Sequence, residues 1–339
     1  MNTTPGLVCS HHHLYSSLAR GMPPPPHTPI DFADILEMIW WRLDQALDLD
    51  ILYWSAKLGA LEALRQGTTA IIDHHESPTV IDGSLSVIAE ACAEVGVRVN
   101  CSYGVTDRHG PEGAKRGLLE NERFLKDGGK GMVGVHAAFT CSDETLESAA
   151  QLASDFQVGV HIHVAEGKVD AEAPARIRHL TDENWLIIHG VHLEEDHGLQ
   201  GTIVHNPRSN MNNSVGYARP SRFQNRIALG TDGIGADMLE EFRVAYARHR
   251  EDEVTATPDI SWNWLAAGWD LFPEAIDDKV TWDYDQLDAW HLAYTSGVRP
   301  LEVEIGDEVV WKDGLSTRVD EDEVRAKSAE AAKKLHERL

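Results

Sequence analysis

Between residues 69 and 250 the chain alternates short apolar runs with longer amphipathic stretches, and this alternation restricts the fold more than any other feature. Runs at 69–75, 97–104, 131–139, 158–164, 185–191, 201–206 and 226–231 are rich in Val and Ile and read as strands. The stretches between them predict helices at 84–95, 112–125, 143–156 (Asp143 at its cap) and 171–181, a short one from Glu194, and one at 238–250. Residues 7–14 supply an earlier strand, which brings the series to eight. Strands separated by helices pair in parallel and are covered on both faces, so the expected fold is α/β, a (β/α)8 TIM barrel. A doubly wound open sheet is the other option, but no GxGxxG turn marks a nucleotide crevice. The barrel is expected over residues 5–258. The barrel end, a partial C-terminal β-sandwich annex (strands near 301–311 and 315–319) and a C-terminal helix are expected over 259–339. After the stiff Pro23–Pro26 loop, residues 31–65 read as one long helical segment, with Trp40, Trp41 and Trp54 as core or pocket wall.

Charge narrows the partners. The chain of 339 residues carries a formal net charge of -25, with 55 acidic and 30 basic side chains. A field of that sign repels nucleic acid and anionic membrane, and no apolar run is long enough to span a bilayer. Acidic residues spread through the predicted helices, with Arg in excess over Lys, suit a protein kept soluble at high salt, and a halophilic source is expected. Cys9, Cys92, Cys101 and Cys141 have no CxxC spacing and lie in apolar runs, as reduced core residues of a cytoplasmic protein would.

Polar side chains collect at one end of the predicted strands. His161 and His163 share a face of the run at 158–164, as His11 and His13 do on the first strand. His74, His75, His136, His189, His205, Asn206 and Asp232 end other strands, and Glu166 follows the fifth. A single strand-end His is commonly a hydrogen-bonded core residue. A ring of them with two carboxylates, at the C-terminal ends where barrel active sites form, points to a metal.

The motifs Pro5-Gly followed after four residues by His11-His-His13, His163-Val-Ala-Glu166, Ile187-Ile-His-Gly-Val-His192, His205-Asn-Pro-Arg-Ser-Asn210 and Leu229-Gly-Thr-Asp-Gly233 resemble the amidohydrolase superfamily, in its deaminase and chlorohydrolase branch. Gly67-Thr-Thr-Ala-Ile-Ile-Asp-His-His-Glu-Ser-Pro78 is similar to aminohydrolases associated with selenium metabolism. The resemblance implies one divalent metal, zinc or else iron, held by His11, His13, His163 and Asp232, with His12 turned away. It implies hydrolysis of carbon–nitrogen (non-peptide) bonds, by deamination of an amino-substituted small-molecule heterocycle through a metal-activated water. Glu166, His189 and Asp232 would then be catalytic, and His136 and His75 would contact substrate. Binuclear relatives need a Lys on the fourth strand; Lys130 lies too early, so a mononuclear site is expected.

Other functions stay open: a halide-releasing chlorohydrolase of the same branch, or an inactive relative serving as a subunit or binding protein. A homo-oligomer is compatible with all of them. Relatives carry a longer sandwich segment before the Pro-Gly, and with Pro5 so near Met1 a half-built sandwich with an open edge is expected.

Overall fold

The computed structural model describes residues 2–339. After a short strand β1 (Thr3–Thr4), eight parallel strands follow: β2 (Leu7–His12), β3 (Thr68–His75), β4 (Arg98–Tyr103), β5 (Val133–Ala137), β6 (Val160–Val164), β7 (Leu186–His189), β8 (Thr202–His205) and β9 (Ile227–Leu229). They form a three-stranded arc β2-β3-β4 and a five-stranded arc β5-β6-β7-β8-β9. Isolated parallel bridges join the arcs: Cys101 to Gly131 and Val105 to Val135 on one side, His12 to Asp232 on the other. The sheet therefore closes into the expected barrel, and its closing bridge runs through two of the polar strand ends.

Period-two alternation divides the side chains. Val8, Ala70, Ile72, Ile188, Val204 and Ala228 pack together inside the lower barrel, with Phe272 among them. Their sequence neighbours Cys9, Ile71, Ile187, Ile203 and Leu229 join the core beneath the helices. The upper interior is left to the polar residues. Close backbone approaches explain two of the barrel's glycines: a Cβ on Gly134 would stand 2.4 Å from the Tyr103 carbonyl oxygen, and one on Gly230 would stand 2.8 Å from His11 Cβ.

Helices Ser84–Val95 and Asp143–Phe156 have the predicted bounds, and the helix predicted at 238–250 runs as Met238–Asp252. Three of the predicted helical segments differ from expectation. Residues 31–65 are not one helix: Phe32–Ile35 leads into a π-helical turn (Leu36–Trp40), then Trp41–Ala46, and Leu47 is extended before Leu49–Leu64. The break is chemical. The Asp48 side chain accepts a hydrogen bond from Ile51 N at 2.8 Å and so caps a new helix. The helix expected at 171–181 shortens to Ala173–Ile177, and no helix forms at Glu194, where the chain runs in turns.

The annex is one antiparallel sheet, ordered β1-β10-β11-β12-β13, with β10 at Lys279–Trp282, β11 at Pro300–Ile305, β12 at Glu308–Lys312 and β13 at Leu315–Ser316. The stretch read as a strand at 301–311 is a hairpin bent at Gly306 (φ 62°), and β10 was not anticipated. Helix Glu321–His336 follows, its Asp320 cap accepting from Asp322 N and Glu323 N. No helix among the described residues is long and apolar enough to cross a membrane.

Candidate metal centre and active-site pocket

Ligand atoms of His11, His13, His163 and Asp232 all lie within 4.8 Å of one another, although they come from β2, β6 and the turn after β9. Asp232 Oδ1 stands 2.9 Å from His13 Nε2 and 3.5 Å from His11 Nε2, and His163 Nε2 is 3.3 Å from His13 Nε2. The hydrogen bonds on the far side of each ring fix the tautomers. His13 Nδ1–H donates to the His74 carbonyl and His163 Nδ1–H to the His136 carbonyl, both at 2.6 Å.

His11 is set by a longer relay. Ser102 Oγ–H donates to the Asp73 carbonyl (2.9 Å), so its lone pair accepts from His161 Nδ1–H (3.2 Å). His161 Nε2 is then bare and accepts from His11 Nδ1–H at 2.8 Å. Every one of the three rings turns a lone pair inward, toward the same carboxylate, and buried His11 Nε2 has no hydrogen-bond partner. Lone pairs facing one another at such distances are unfavourable unless a cation lies among them. Three imidazoles and a carboxylate, each oriented by an outer hydrogen bond, fit a divalent metal with an open position.

Burial, reinforced by neighbouring His13, holds His163 down at about 3, which keeps the ring a neutral ligand. Burial also opposes charge on His13, but the Asp232 hydrogen bond and charge outweigh it and raise that ring to about 9. A bare carboxylate would thus recruit a proton where a metal would otherwise sit.

A second group, Glu166, His189 and Asp232, overlaps the first through its shared aspartate. His189 Nδ1–H donates to Asn210 Oδ1 at 2.8 Å, and Nε2 faces Glu166 Oε2 at 3.4 Å and Asp232 Oδ2 at 4.0 Å. Burial raises the Glu166 carboxyl, with Asp232 pushing the same way and His189 opposing. Its Oε1 accepts from Asn213 Nδ2 at 3.2 Å, and Ser209 Oγ donates to Asp232 Oδ2. Ser209 and Asn210 lie on the short helix Pro207–Asn212 and Asn213 caps it, so one element positions both carboxylates and the His between them. Ser209 and Asn210 lie within the His205-to-Asn210 motif, which carried no role at the level of residues, and Asn213 lies beyond it. His189 (φ 73°) and Asp232 (φ 56°) are both left-handed without being glycine, a conformation kept at functional sites where the surroundings enforce it.

The pocket above these groups is lined by His13, His163, Glu166 and Asp232, by Tyr15, Phe32, Trp40, Trp41 and Phe139, and by Asp44, Glu76 and His136. His136 is where a substrate contact was expected, its Nδ1 held by Thr140 Oγ1 at 2.8 Å. His75 is not. Alternation along β3 sends His74 inward and His75 outward, between the rings of Tyr15 and Tyr103 (5.4 and 5.8 Å), with Nε2 bonded to Ser77 Oγ at 2.7 Å. The next residue, Glu76, reaches the pocket in its place. His12 turns away from the cluster and pairs with Thr231 Oγ1 at 3.0 Å.

The amidohydrolase family model matches residues 2–262. A 5'-deoxyadenosine deaminase of Methanopyrus kandleri is 29% identical over 98% of this chain and 86% of its own length. A 5-methylthioadenosine/S-adenosylhomocysteine deaminase of Syntrophomonas wolfei is 30% identical over 73% of this chain, which spans 61% of that relative. An adenosine deaminase from Xanthomonas campestris with bound zinc superposes with a TM-score of 0.84 at 19% identity, over 99% of this chain and 86% of that one. An atrazine chlorohydrolase variant from Arthrobacter aurescens, complexed with zinc and atraton, superposes with a TM-score of 0.82 at 18% identity, covering 97% and 88%. At such identities these two likenesses speak for the fold alone, and it is the family match over most of the chain that shows this chain to belong to the amidohydrolase family.

Proposed function

We propose that this chain is a zinc-dependent aminohydrolase that releases ammonia from an amino-substituted heterocycle of the purine-nucleoside kind. The observation that carries the reading is the convergence of His11, His13 and His163 lone pairs on Asp232, with Glu166 and His189 beside them and outside that ligand set. The names of the curated relatives, deaminases of adenosine derivatives, support this substrate class. A divalent cation held by His11, His13, His163 and Asp232 would supply Lewis acidity and lower the pKa of a water toward neutrality.

The remaining steps belong to the protein. Asp232 has two oxygens in different surroundings: Oδ1 faces the imidazoles, and Oδ2 faces Ser209 and His189. It can therefore stay with the cluster and take the proton of the attacking water. Glu166, whose carboxyl burial raises above the ordinary carboxylate range, is placed to deliver a proton to a ring nitrogen as the attacked carbon becomes tetrahedral. His189, fixed by Asn210, orients the attacking oxygen and offsets its charge. Aromatic walls at Phe32, Trp40 and Trp41 seat a flat heterocycle and keep bulk water out.

The test is metal content together with an ammonia-release screen over purines, pyrimidines and triazines. About one zinc per chain in the wild type, little in His163→Ala, and ammonia from an aminopurine are expected, since losing one of four ligands leaves the site unable to close. Two metals per chain, or undiminished metal in the variant, would overturn the site. Halide release without ammonia release would favour the chlorohydrolase reading instead. A soluble cytoplasmic enzyme of a halophilic organism is the setting this reading favours, on the charge balance and the four free buried cysteines.

A further inference from the structure

We propose that Asp44 and Glu76 form a cation-accepting subsite in the active-site pocket, one that selects substrates bearing an ammonium or similar positive substituent away from the reacting carbon. The inference rests on the aminohydrolase reading for the heterocycle and goes beyond it in naming the other end of the substrate.

Three sequence-distant elements build the subsite: helix Trp41–Ala46, the turn after β3, and the turn Asp107–His109 after β4. Asp44 and Glu76 are 1% and 4% exposed, and both line the pocket. Arg108 lies behind them, paired with Glu76 and 3.5 Å from Asp44 Oδ2, with its guanidinium carbon 4.3 Å from the Trp41 ring centroid. One guanidinium thus faces two buried carboxylates, and the set is short of one positive charge. Asp44 Oδ1 has no hydrogen-bond partner at all.

The neighbours on the pocket wall do not supply what is missing, and His13, which acts on both acids through space, belongs to the metal cluster. His136 Nε2 is 4.0 Å from Glu76, beyond hydrogen-bond reach, and its Nδ1 is engaged by Thr140 Oγ1. Tyr15, on the same pocket wall, can bring Asp44 a hydrogen bond but no positive charge. A buried carboxylate in this position either keeps a proton or waits for a cation. Consistent with that, burial first and then Glu76 raise the Asp44 carboxyl well above the ordinary range.

Both carboxylates line the pocket, and the ring of Trp40 on the same wall also favours a cation over an anion. A carboxylate or phosphate tail would meet two acids whose single guanidinium is already engaged. The net charge of the whole chain has the same sign preference.

The experiment uses zinc-loaded full-length enzyme and three matched compounds: 9-propyladenine, 9-(3-aminopropyl)adenine and 9-(2-carboxyethyl)adenine. Dissociation constants come from calorimetry, and ammonia release is read separately. The aminopropyl compound should bind at least about tenfold tighter than the propyl compound, the size of one hydrogen bond to a charged group, and the carboxyethyl compound should bind weakest. In Asp44→Asn the aminopropyl advantage should fall to within about threefold. The ordering in wild-type enzyme decides the matter even if that variant does not fold. No advantage for the ammonium compound, binding of the carboxylate as tightly, or an advantage that survives in folded Asp44→Asn overturns the subsite. Preferential binding with no ammonia from any compound would keep the subsite and remove the deaminase reading. Ammonia release without preference would do the reverse.

Discussion

Glu166 stands outside the group formed by His11, His13, His163 and Asp232, and a variant can separate its role from theirs. Its carboxyl hydrogen-bonds Asn213 and faces His189 without entering the ligand set, so Glu166→Gln should keep metal content at the wild-type level. Turnover should fall by about a hundredfold or more, the usual size of an acid–base contribution. Metal content measured beside the rate of ammonia release checks this; full activity with metal retained would remove Glu166 from proton transfer. His205 gives a second prediction of a different kind. Both of its ring nitrogens are buried without partners, and burial first, then repulsion from His189, lowers it to about 3. The folded state therefore binds fewer protons than the unfolded chain between about 6.5 and 3, where the unfolded ring titrates first. Its contribution to stability is present above about 6.5 and is lost as pH falls through that window. Denaturant unfolding of His205→Asn should show a shallower loss of stability between about pH 6 and pH 4 than wild type, by up to about 1.4 kcal/mol per pH unit.

At the scale of elements, the site depends on how closely β2 and β9 approach. Gly230 lies where these strands bridge, and a Cβ there would meet Asn206 Oδ1 at 2.5 Å and the His11 backbone nitrogen at 2.8 Å. Neither neighbour is a free chain end that could swing away: Asn206 is buried after β8, and His11 N belongs to β2. Gly230→Ala should cost about 1–3 kcal/mol by overpacking and also push His11 off its line toward Asp232. Thermal unfolding with and without zinc tests both halves: a lower midpoint in each condition, and a smaller zinc-induced rise than in wild type. An unchanged zinc response would mean that β2 absorbs the added methyl without moving the ring.

For the molecule as a whole, charge is the dominant variable. Acidic side chains exceed basic ones by enough to give a net charge of -25, and self-repulsion of that size opposes the compact state. Molar salt shortens the Debye length from about 10 Å at 0.1 M to about 3 Å at 1 M, which screens the repulsion. Exposed pairs such as Arg20 with Glu62 and Lys279 with Glu304 are screened as well, but pairs of this type contribute little. The unfolding midpoint should therefore rise between dilute buffer and molar potassium chloride. A flat or falling midpoint would show that attraction within these pairs outweighs the net repulsion.

Some of this was local, and local features can be read along a chain. Strand spacing, the period-two placement of His161 with His163, and the gathering of polar residues at strand ends follow from backbone geometry and connection rules, so the barrel and its polar mouth were legible from residues alone. The assignment of ligand roles within that mouth came from the resemblance to amidohydrolases, not from periodicity. Depth and direction were not legible. His161 and His163 share a face, yet one relays a hydrogen bond from His11 to Ser102 and the other turns its lone pair to the centre, a difference set by where β2 and β4 cross β6. His75, like His136, was expected to face the mouth from a strand end, and the register of β3 between β2 and β4 turns it to the outer face. β1 pairs with β10 across 278 residues of chain, which no local pattern encodes. The meeting of Asp44, Glu76 and Arg108 is the fullest case. No sequence pattern singles out any of the three, and only the break at Leu47, which lets residues 31–46 fold across the barrel mouth, puts them in one buried wall. Secondary structure is written in neighbours a few residues apart; a site is made by contacts between residues that the chain keeps far apart until it folds.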